Sequence, residues 1–247
     1  MLTSYCYKNY KTMKKLTTFL FAIGMIIGLN SAFAEVQDRH LSGFHAISAS
    51  ASFDVYITQG STESVKVEAP SDVINRIITE VDGDVLKIRT KNGSFSWGGW
   101  FNNSHKKMVV YVTIKSIHAI NISGSSDVFF KEGINADKME LTVSGSGDVV
   151  GKLNAKSLET RVSGSGDIKL AGNAQTSIIR MNGSGDFSGR DFVTAVTTVS
   201  ISGSGDATVN ASQKLEARVS GSGDIRYAGN PKEVSKSTSG SGEVHKI

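Results

Sequence analysis

Seven acidic residues recur in a fixed context in the C-terminal half of the chain, and their spacing could serve metal-ion chemistry. Each one ends a five-residue unit that matches Ser-Gly-Ser-Gly-Asp with at most one substitution; the acids are Asp127, Asp148, Asp167, Asp186, Asp206, Asp224 and Glu243. A column of carboxylates could bind calcium, a hard ion that takes oxygen ligands. The candidate metal ligands are Asp148, Asp167, Asp186, Asp206 and Asp224.

The same acids have a structural alternative. Like charges stacked about 4.8 Å apart repel by roughly 1 kcal/mol per neighbouring pair in water, so each carboxylate needs a partner. Serine hydroxyls and turn amides can supply those hydrogen bonds. Calcium needs six or more oxygens, which one acid per coil supplies poorly. The spacing therefore favours hydrogen bonding, with calcium binding as the alternative.

The acids belong to a repeat that predicts the fold. The units are Ser123–Asp127, Ser144–Asp148, Ser163–Asp167, Asn182–Asp186, Ser202–Asp206, Ser220–Asp224 and Ser239–Glu243. Successive units start 21, 19, 19, 20, 18 and 19 residues apart. A near-constant period of this length is the signature of a solenoid, in which each coil buries its apolar face against the next.

The apolar residues around each unit are separated by even numbers, which is strand periodicity. In the second unit, Leu141, Val143 and Val149 follow this pattern. The sequence therefore predicts an all-β fold, a β-solenoid of about seven coils over residues 123–247. A strand running straight through the unit would place both glycines inward and the serines and the acid outward. The last coil carries Lys236 at an inward position, where a charge would discourage a further strand from pairing.

Residues 35–122 lack the unit but alternate like strands. Ile77–Val81 and Val85–Thr90 flank Asp82-Gly83-Asp84, which predicts a hairpin. We expect this β-rich segment to cap the first coil, so that residues 35–247 form one continuous domain; a small separate domain is the alternative.

A glycine-rich segment, residues 92–104, concentrates aromatic side chains. The candidate ligand-binding residues are Phe95, Trp97, Trp100 and Phe101. Aromatic side chains on such a loop suit a sugar or protein surface. The alternatives are a loop folded over a core edge and a contact in a homo-oligomer.

Residues 1–34 read as a secretory signal peptide. Met13-Lys14-Lys15 precedes the apolar run Leu16–Leu29, and Ala32-Phe33-Ala34 provides a cleavage site after Ala34. The apolar run is shorter than the roughly 20 residues of a membrane-spanning helix, so an uncleaved anchor is the weaker alternative. The true start is Met1 or Met13. We expect export to the periplasm or to the cell surface of a Gram-negative bacterium, with no membrane span after cleavage.

Charge and cysteine content narrow the function classes. The 27 basic residues include four lysines before Ala34, so the rest of the chain holds 23 basic and 23 acidic residues. Without a basic excess, nucleic acid is not an expected partner. The single cysteine, Cys6, lies before the predicted cleavage site, so we expect neither disulfide nor thiol chemistry.

No residue stands out as catalytic. The acids are evenly spread rather than paired at one place, and no nucleophile is accompanied by partners. The histidines lack metal-ligand spacing; they are His40, His45, His105, His118 and His245. We predict no enzyme and no required cofactor. Because parallel β-helices include polysaccharide-cleaving enzymes, a carbohydrate-active enzyme is the alternative.

The leader, the introductory β segment and the seven units together resemble the head GIN domain family, described as "putative auto-transporter adhesin" proteins. The resemblance covers Phe44 to the C-terminus and rests on the repeated unit. It implies a right-handed parallel β-helix and an adhesin-like role in the cell envelope. We therefore expect an exported binding or structural module whose partner is a glycan or a protein surface.

Overall fold

The computed structural model describes residues 34–91 and 107–247, and Ala34–Ile247 form one compact unit. The predicted fold class is confirmed, because the chain forms a β-solenoid of about seven turns. The strands are β1 (Ala34–Asp38), β2 (Ala46–Ala51), β3 (Asp54–Gln59), β4 (Ser64–Pro70), β5 (Ile77–Asp82), β6 (Val85–Thr90), β7 (Val109–Ile114), β8 (Ala119–Gly124), β9 (Asp127–Gly145), β10 (Val149–Gly164), β11 (Ile168–Gly183), β12 (Phe187–Gly203), β13 (Ala207–Gly221), β14 (Ile225–Ala228), β15 (Glu233–Gly240) and β16 (Val244–Lys246). A short 3-10 helix spans Ile74–Arg76.

The long strands β9 to β13 stack in parallel, each one coil above the last. Val149 lies beside Val128 on one side and Ile168 on the other, and the first glycines of successive units are also paired. Each long strand ends at the first glycine of one unit, and the next strand begins just after that unit. Every unit therefore forms a corner directly above the corner before it.

The interior confirms the predicted inward positions. Leu141, Val143 and Val149 are at most 1% exposed, and the equivalent residues of the other central coils are also buried. Burying such apolar columns stabilises a fold by about 25 cal/mol per Å² removed from water. The stack is held by this continuous core, since a single coil cannot bury its own apolar face.

The segment before the repeat contributes strands to the same stack. β2 pairs in parallel with β6 and β8, and β3 pairs in parallel with β7 and β9. The β2–β3 coil therefore lies between the coil made by β6 and β7 and the coil begun by β8. The predicted hairpin is confirmed, because β5 and β6 are antiparallel and Gly83 has a positive φ of 63°. β4 and β1 add antiparallel strands beyond β7.

The last coil is closed by a charged side chain. Lys236 of β15 is in register with the buried Ala217. Its Nζ donates to the Val244 carbonyl at 2.9 Å and lies 4.9 Å from the centre of the Tyr227 ring. The side chain thus covers the end of the core, where an apolar residue would have left a surface open to pairing.

Candidate functional site

The repeated corner is shaped by its two glycines. In the fourth unit Gly183 has a φ of +132°, a conformation that residues with a Cβ rarely adopt. Gly185 is buried, and a Cβ there would lie 2.1 Å from the Gly166 carbonyl oxygen. The second glycine is therefore inward, as predicted. The first glycine is instead a partly exposed turn residue, because the chain bends at the corner rather than running straight through it.

The acids of the corners form a hydrogen-bonded ladder. The backbone N–H of each acid donates to Oδ1 of the acid one coil before it, at 2.7–3.0 Å from Asp148 to Glu243. Charge-assisted bonds of this kind are stronger than neutral ones and offset the repulsion within the column. Arg226 adds ion pairs to Asp206 and Asp224 at 2.9 and 3.3 Å.

The structure brings the predicted calcium ligands Asp148, Asp167, Asp186, Asp206 and Asp224 into one column. One carboxylate oxygen of each already accepts a backbone amide. Among residues 34–91 and 107–247, no three acidic, histidine or cysteine side chains are grouped to hold a metal ion. At the head of the column, burial raises the pKa of Asp127, and repulsion from Asp148 and Asp54 adds to the rise.

An eighth corner, Ser50–Asp54, escaped the sequence analysis. Its residues Ser-Ala-Ser-Phe-Asp are a degenerate copy of the unit, and Ala51 pairs with Gly124. Ala51 has a φ of +117°, which is strained for a residue with a Cβ. Asp54 extends the column beside Asp127 and forms an ion pair with Lys107 at 2.6 Å. The sequence signal for this corner was the Ser-x-Ser-x-Asp spacing, in which alanine and phenylalanine replace the two glycines.

Together with the seven units, Ser50–Asp54 makes up the corner column. The first unit adapts to this neighbour, because Ser126 replaces its second glycine. The Ser126 hydroxyl is buried; it accepts the Phe53 amide at 3.1 Å and donates to the Ala51 carbonyl at 3.2 Å. The hydroxyl thus joins two corners that lack the usual glycine packing.

The predicted ligand-binding residues Phe95, Trp97, Trp100 and Phe101 lie outside the described residues. The strands on either side of their segment are defined. β6 ends at Thr90, and β7 begins at Val109, which is paired with Asp54 of the corner column. In the sequence, the aromatic segment thus stands between two described strands, where the later coils carry a Ser-Gly-Ser-Gly-Asp unit.

A stack of aromatic rings on the outer surface was not predicted. The rings of Tyr56 and Tyr111 are 5.6 Å apart, and those of Tyr56 and Phe129 are 5.0 Å apart, each pair inclined by 23°. Tyr111 is 42% exposed. Its hydroxyl donates to Glu68 at 3.0 Å, which raises the pKa of Tyr111. The sequence signal for this stack was an aromatic residue two positions after both Asp54 and Asp127. We call these three rings the aromatic ladder.

The outward arginines Arg161, Arg180 and Arg218 take part in ion pairs. Arg161 and Arg180 both contact Glu159, and Arg218 contacts Glu216. Lys138 and Glu140 form a further pair on the same strand. We call this surface, formed by the parts of the coils before each corner, the paired face, because each of these cations has an acidic partner.

The chain resembles several solved structures. A "putative adhesin" from Bacteroides fragilis NCTC 9343 is 26% identical, with a TM-score of 0.82 over 88% of this chain and 98% of that one. A "putative lipid binding protein" from Parabacteroides distasonis ATCC 8503 is 24% identical, and a "putative adhesin" from Parabacteroides merdae ATCC 43184 is 22% identical. Both give a TM-score of 0.70 with the same coverage, which shows a shared fold.

The comparison with curated proteins gives no match. Within the described residues no helix has the length and apolar character to cross a membrane. The sequence profile described as "Putative auto-transporter adhesin, head GIN domain" matches residues 43–231, well over half of the chain. The chain therefore belongs to the head GIN domain family.

Proposed function

We propose that this protein is an exported, non-catalytic binding module of the cell envelope, with an adhesin-like role. The observation that carries the proposal is the aromatic ladder, in which Tyr111 is exposed and Tyr56 and Phe129 are half-buried. It lies on a stack whose repeated residues pack against one another. Exposed aromatic rings on a rigid scaffold suit recognition, since little conformational entropy is lost on binding. The family description and the adhesin relatives support the same class of function.

In this proposal the ligand contacts the N-terminal coils. The aromatic segment carrying Trp97 and Trp100 lies in the sequence between the end of β6 and the start of β7, close to Tyr111 of the ladder. Phe95 and Phe101 add to the apolar area that this end can offer. A glycan or a protein surface is the ligand class that such aromatic groups suit.

The test is binding of the purified mature protein to a glycan array and to immobilised bacterial surface proteins. We expect the double variant Trp97→Ala/Trp100→Ala to bind about tenfold more weakly, as for aromatic hot spots elsewhere. Val193→Ala/Val234→Ala is the matched control, because it truncates two exposed apolar residues on distant coils, 45% and 40% exposed. Unchanged binding by the tryptophan variant would remove the aromatic segment from the proposal. Turnover of a polysaccharide would replace the proposal by the enzyme alternative.

In this proposal the acids of the corner column hold the coils together rather than binding calcium. Calorimetric titration with millimolar calcium should then give no heat and no change in melting temperature. A saturable heat that disappears in Asp167→Asn would instead establish calcium as a ligand. That variant keeps an oxygen to accept the Asp186 amide, so its fold is expected to persist.

A further inference from the structure

The outer surface of the coils after each corner contains a basic groove, which none of the features above uses. A concave region of about 610 Å³ is bordered by Lys131, Lys152, Lys169 and Arg190, with Asp191 as its acidic side chain. These four cations come from successive strands β9 to β12. At a coil spacing of about 4.8 Å they extend over about 14 Å along the stack.

The four cations of the basic groove differ from those of the paired face. All four are exposed, and none forms an ion pair with any residue of the described part of the chain. Like charges on neighbouring coils repel, and Asp191 is the acidic side chain that borders the groove among the described residues. Arg226 at one end of the groove is neutralised by Asp206 and Asp224. The groove therefore brings four cations without acidic partners together in one concave strip, although residues 35–247 hold equal numbers of basic and acidic side chains.

The wall of the groove is partly apolar. Val150 and Leu170 line it, and the Nζ of Lys131 lies 5.4 Å from the centre of the Phe129 ring. Phe129 is the last ring of the aromatic ladder. A ligand in the groove would meet cations and C–H surfaces together, and a sugar polymer bearing acidic groups offers both complements.

We infer that the basic groove binds a linear acidic polysaccharide, whose carboxylate or sulfate groups contact Lys131, Lys152, Lys169 and Arg190. The inference rests on the proposed function and specifies its ligand class. An extended chain fits a strip that is concave and runs along the stack. A flat membrane surface would instead contact protruding residues.

The test measures affinity for polygalacturonate and dextran sulfate, with neutral dextran as the uncharged probe. We expect binding to both anionic polymers, and loss of that binding as ionic strength rises from about 0.05 to about 0.5 M. Lys131→Gln/Lys152→Gln/Lys169→Gln should weaken it about tenfold, because three exposed ionic contacts are lost. Asp191→Asn should strengthen it about twofold by removing the opposing charge.

The matched control is Lys138→Gln/Lys156→Gln/Lys214→Gln. It removes the same charge from three exposed lysines that already have acidic partners. Equal weakening by the two triple variants would overturn the inference, since net charge alone would then explain binding. Binding confined to vesicles containing phosphatidylglycerol would overturn it in favour of a membrane surface.

The same preparations separate the inference from the proposed function. Cell-surface binding that needs Trp97 and Trp100 but not the groove lysines would leave the binding module standing and remove the acidic polysaccharide. Failure of the wild-type protein to bind any glycan, surface protein or vesicle would remove both.

Discussion

The corner column and the basic groove lie on the same coils, but their residue types are conserved from coil to coil only in the column. At the corners the residue types repeat, because each unit packs against an identical unit one coil away. At Gly185, for example, an added Cβ would lie only 2.1 Å from the carbonyl oxygen of Gly166. Along the groove the residues vary from coil to coil, as the register Val150, Lys169, Ser188, Thr208 shows. Repetition here reflects packing, whereas variation marks surface that packing leaves free.

The difference also concerns hydrogen bonds and charge. The corner acids have partners supplied by the backbone, and the paired face has partners supplied by side chains. The cations of the groove have neither. A surface whose charges are uncompensated within the fold is the better place for an external partner, because less has to be broken before binding.

The variant Gly185→Ala tests whether close packing between successive units fixes the residue types at the corners. The added Cβ would collide with backbone, which cannot move without displacing the coil below, so we expect a loss of about 3 kcal/mol or more in the free energy of unfolding. Ser184→Ala, at the exposed position next to it, should change the free energy by less than about 0.5 kcal/mol. Urea denaturation measures both, and similar values for the two variants would break the distinction between them.

The hydrogen-bonded ladder of the corner acids is tested at Asp167, whose neighbours in the ladder, Asp148 and Asp186, are also aspartates. Asp167→Ala removes the acceptor for the Asp186 amide and should cost about 1 kcal/mol, the usual value of such a bond. Asp167→Asn retains an acceptor and relieves repulsion, so its stability should lie close to that of the wild type. Equal destabilisation by Asp167→Ala and Asp167→Asn would show that the negative charge of the aspartate, rather than its hydrogen bond, stabilises the ladder.

The degenerate corner offers a stabilising change. Ala51→Gly relieves a φ of +117° but adds entropy to the unfolded chain, and the net gain should be about 0.5 to 1 kcal/mol. A thermal melt of this variant beside Ala49→Gly, at a buried position of the same strand, separates the effects. A loss of stability in both variants would mean that the corner at Ser50–Asp54 does not need a glycine.

The smallest expected effect is the difference in stability between removing one cation from the basic groove and removing one from the paired face. Lys169→Gln in the groove should leave the free energy of unfolding unchanged or raise it slightly, because the lysine has no acidic partner among the described residues. Arg180→Gln should cost a few tenths of a kcal/mol through loss of its contact with Glu159. Urea denaturation at low salt resolves the comparison, and a larger loss for Lys169→Gln would show that the groove contributes to folding.

Much of the fold could be predicted because a solenoid repeats its local rules. Leu141, Val143 and Val149 repeat at even spacing, so the inward columns follow from the sequence. The second glycine was correctly placed inward for the same reason. The first glycine was not, because a straight strand and a bend give the same alternation of residue types. Only the φ of residues such as Gly183 distinguishes them.

The candidate sites were less predictable. Tyr56, Tyr111 and Phe129 are far apart in the chain, and two of them precede the repeat; nothing local says that their coils are neighbours. The eighth corner was hidden because alanine and phenylalanine replace its glycines. The groove was hidden although Lys131, Lys152 and Arg190 each follow a corner acid by four residues, because Lys169 breaks that spacing. The lack of acidic partners is a property of the folded surface rather than of spacing.

Sequence alone determined the repeat, the inward columns and the balanced charge of residues 35–247, because each is a property of residue order and composition. The tertiary structure decided that β2 and β3 lie between coils formed later in the chain, since strand pairing is non-local. It also decided that the six acids from Asp127 to Asp224 each accept an amide from the next coil. Among the cations, it separated those with partners from those without, because that depends on which coils become neighbours.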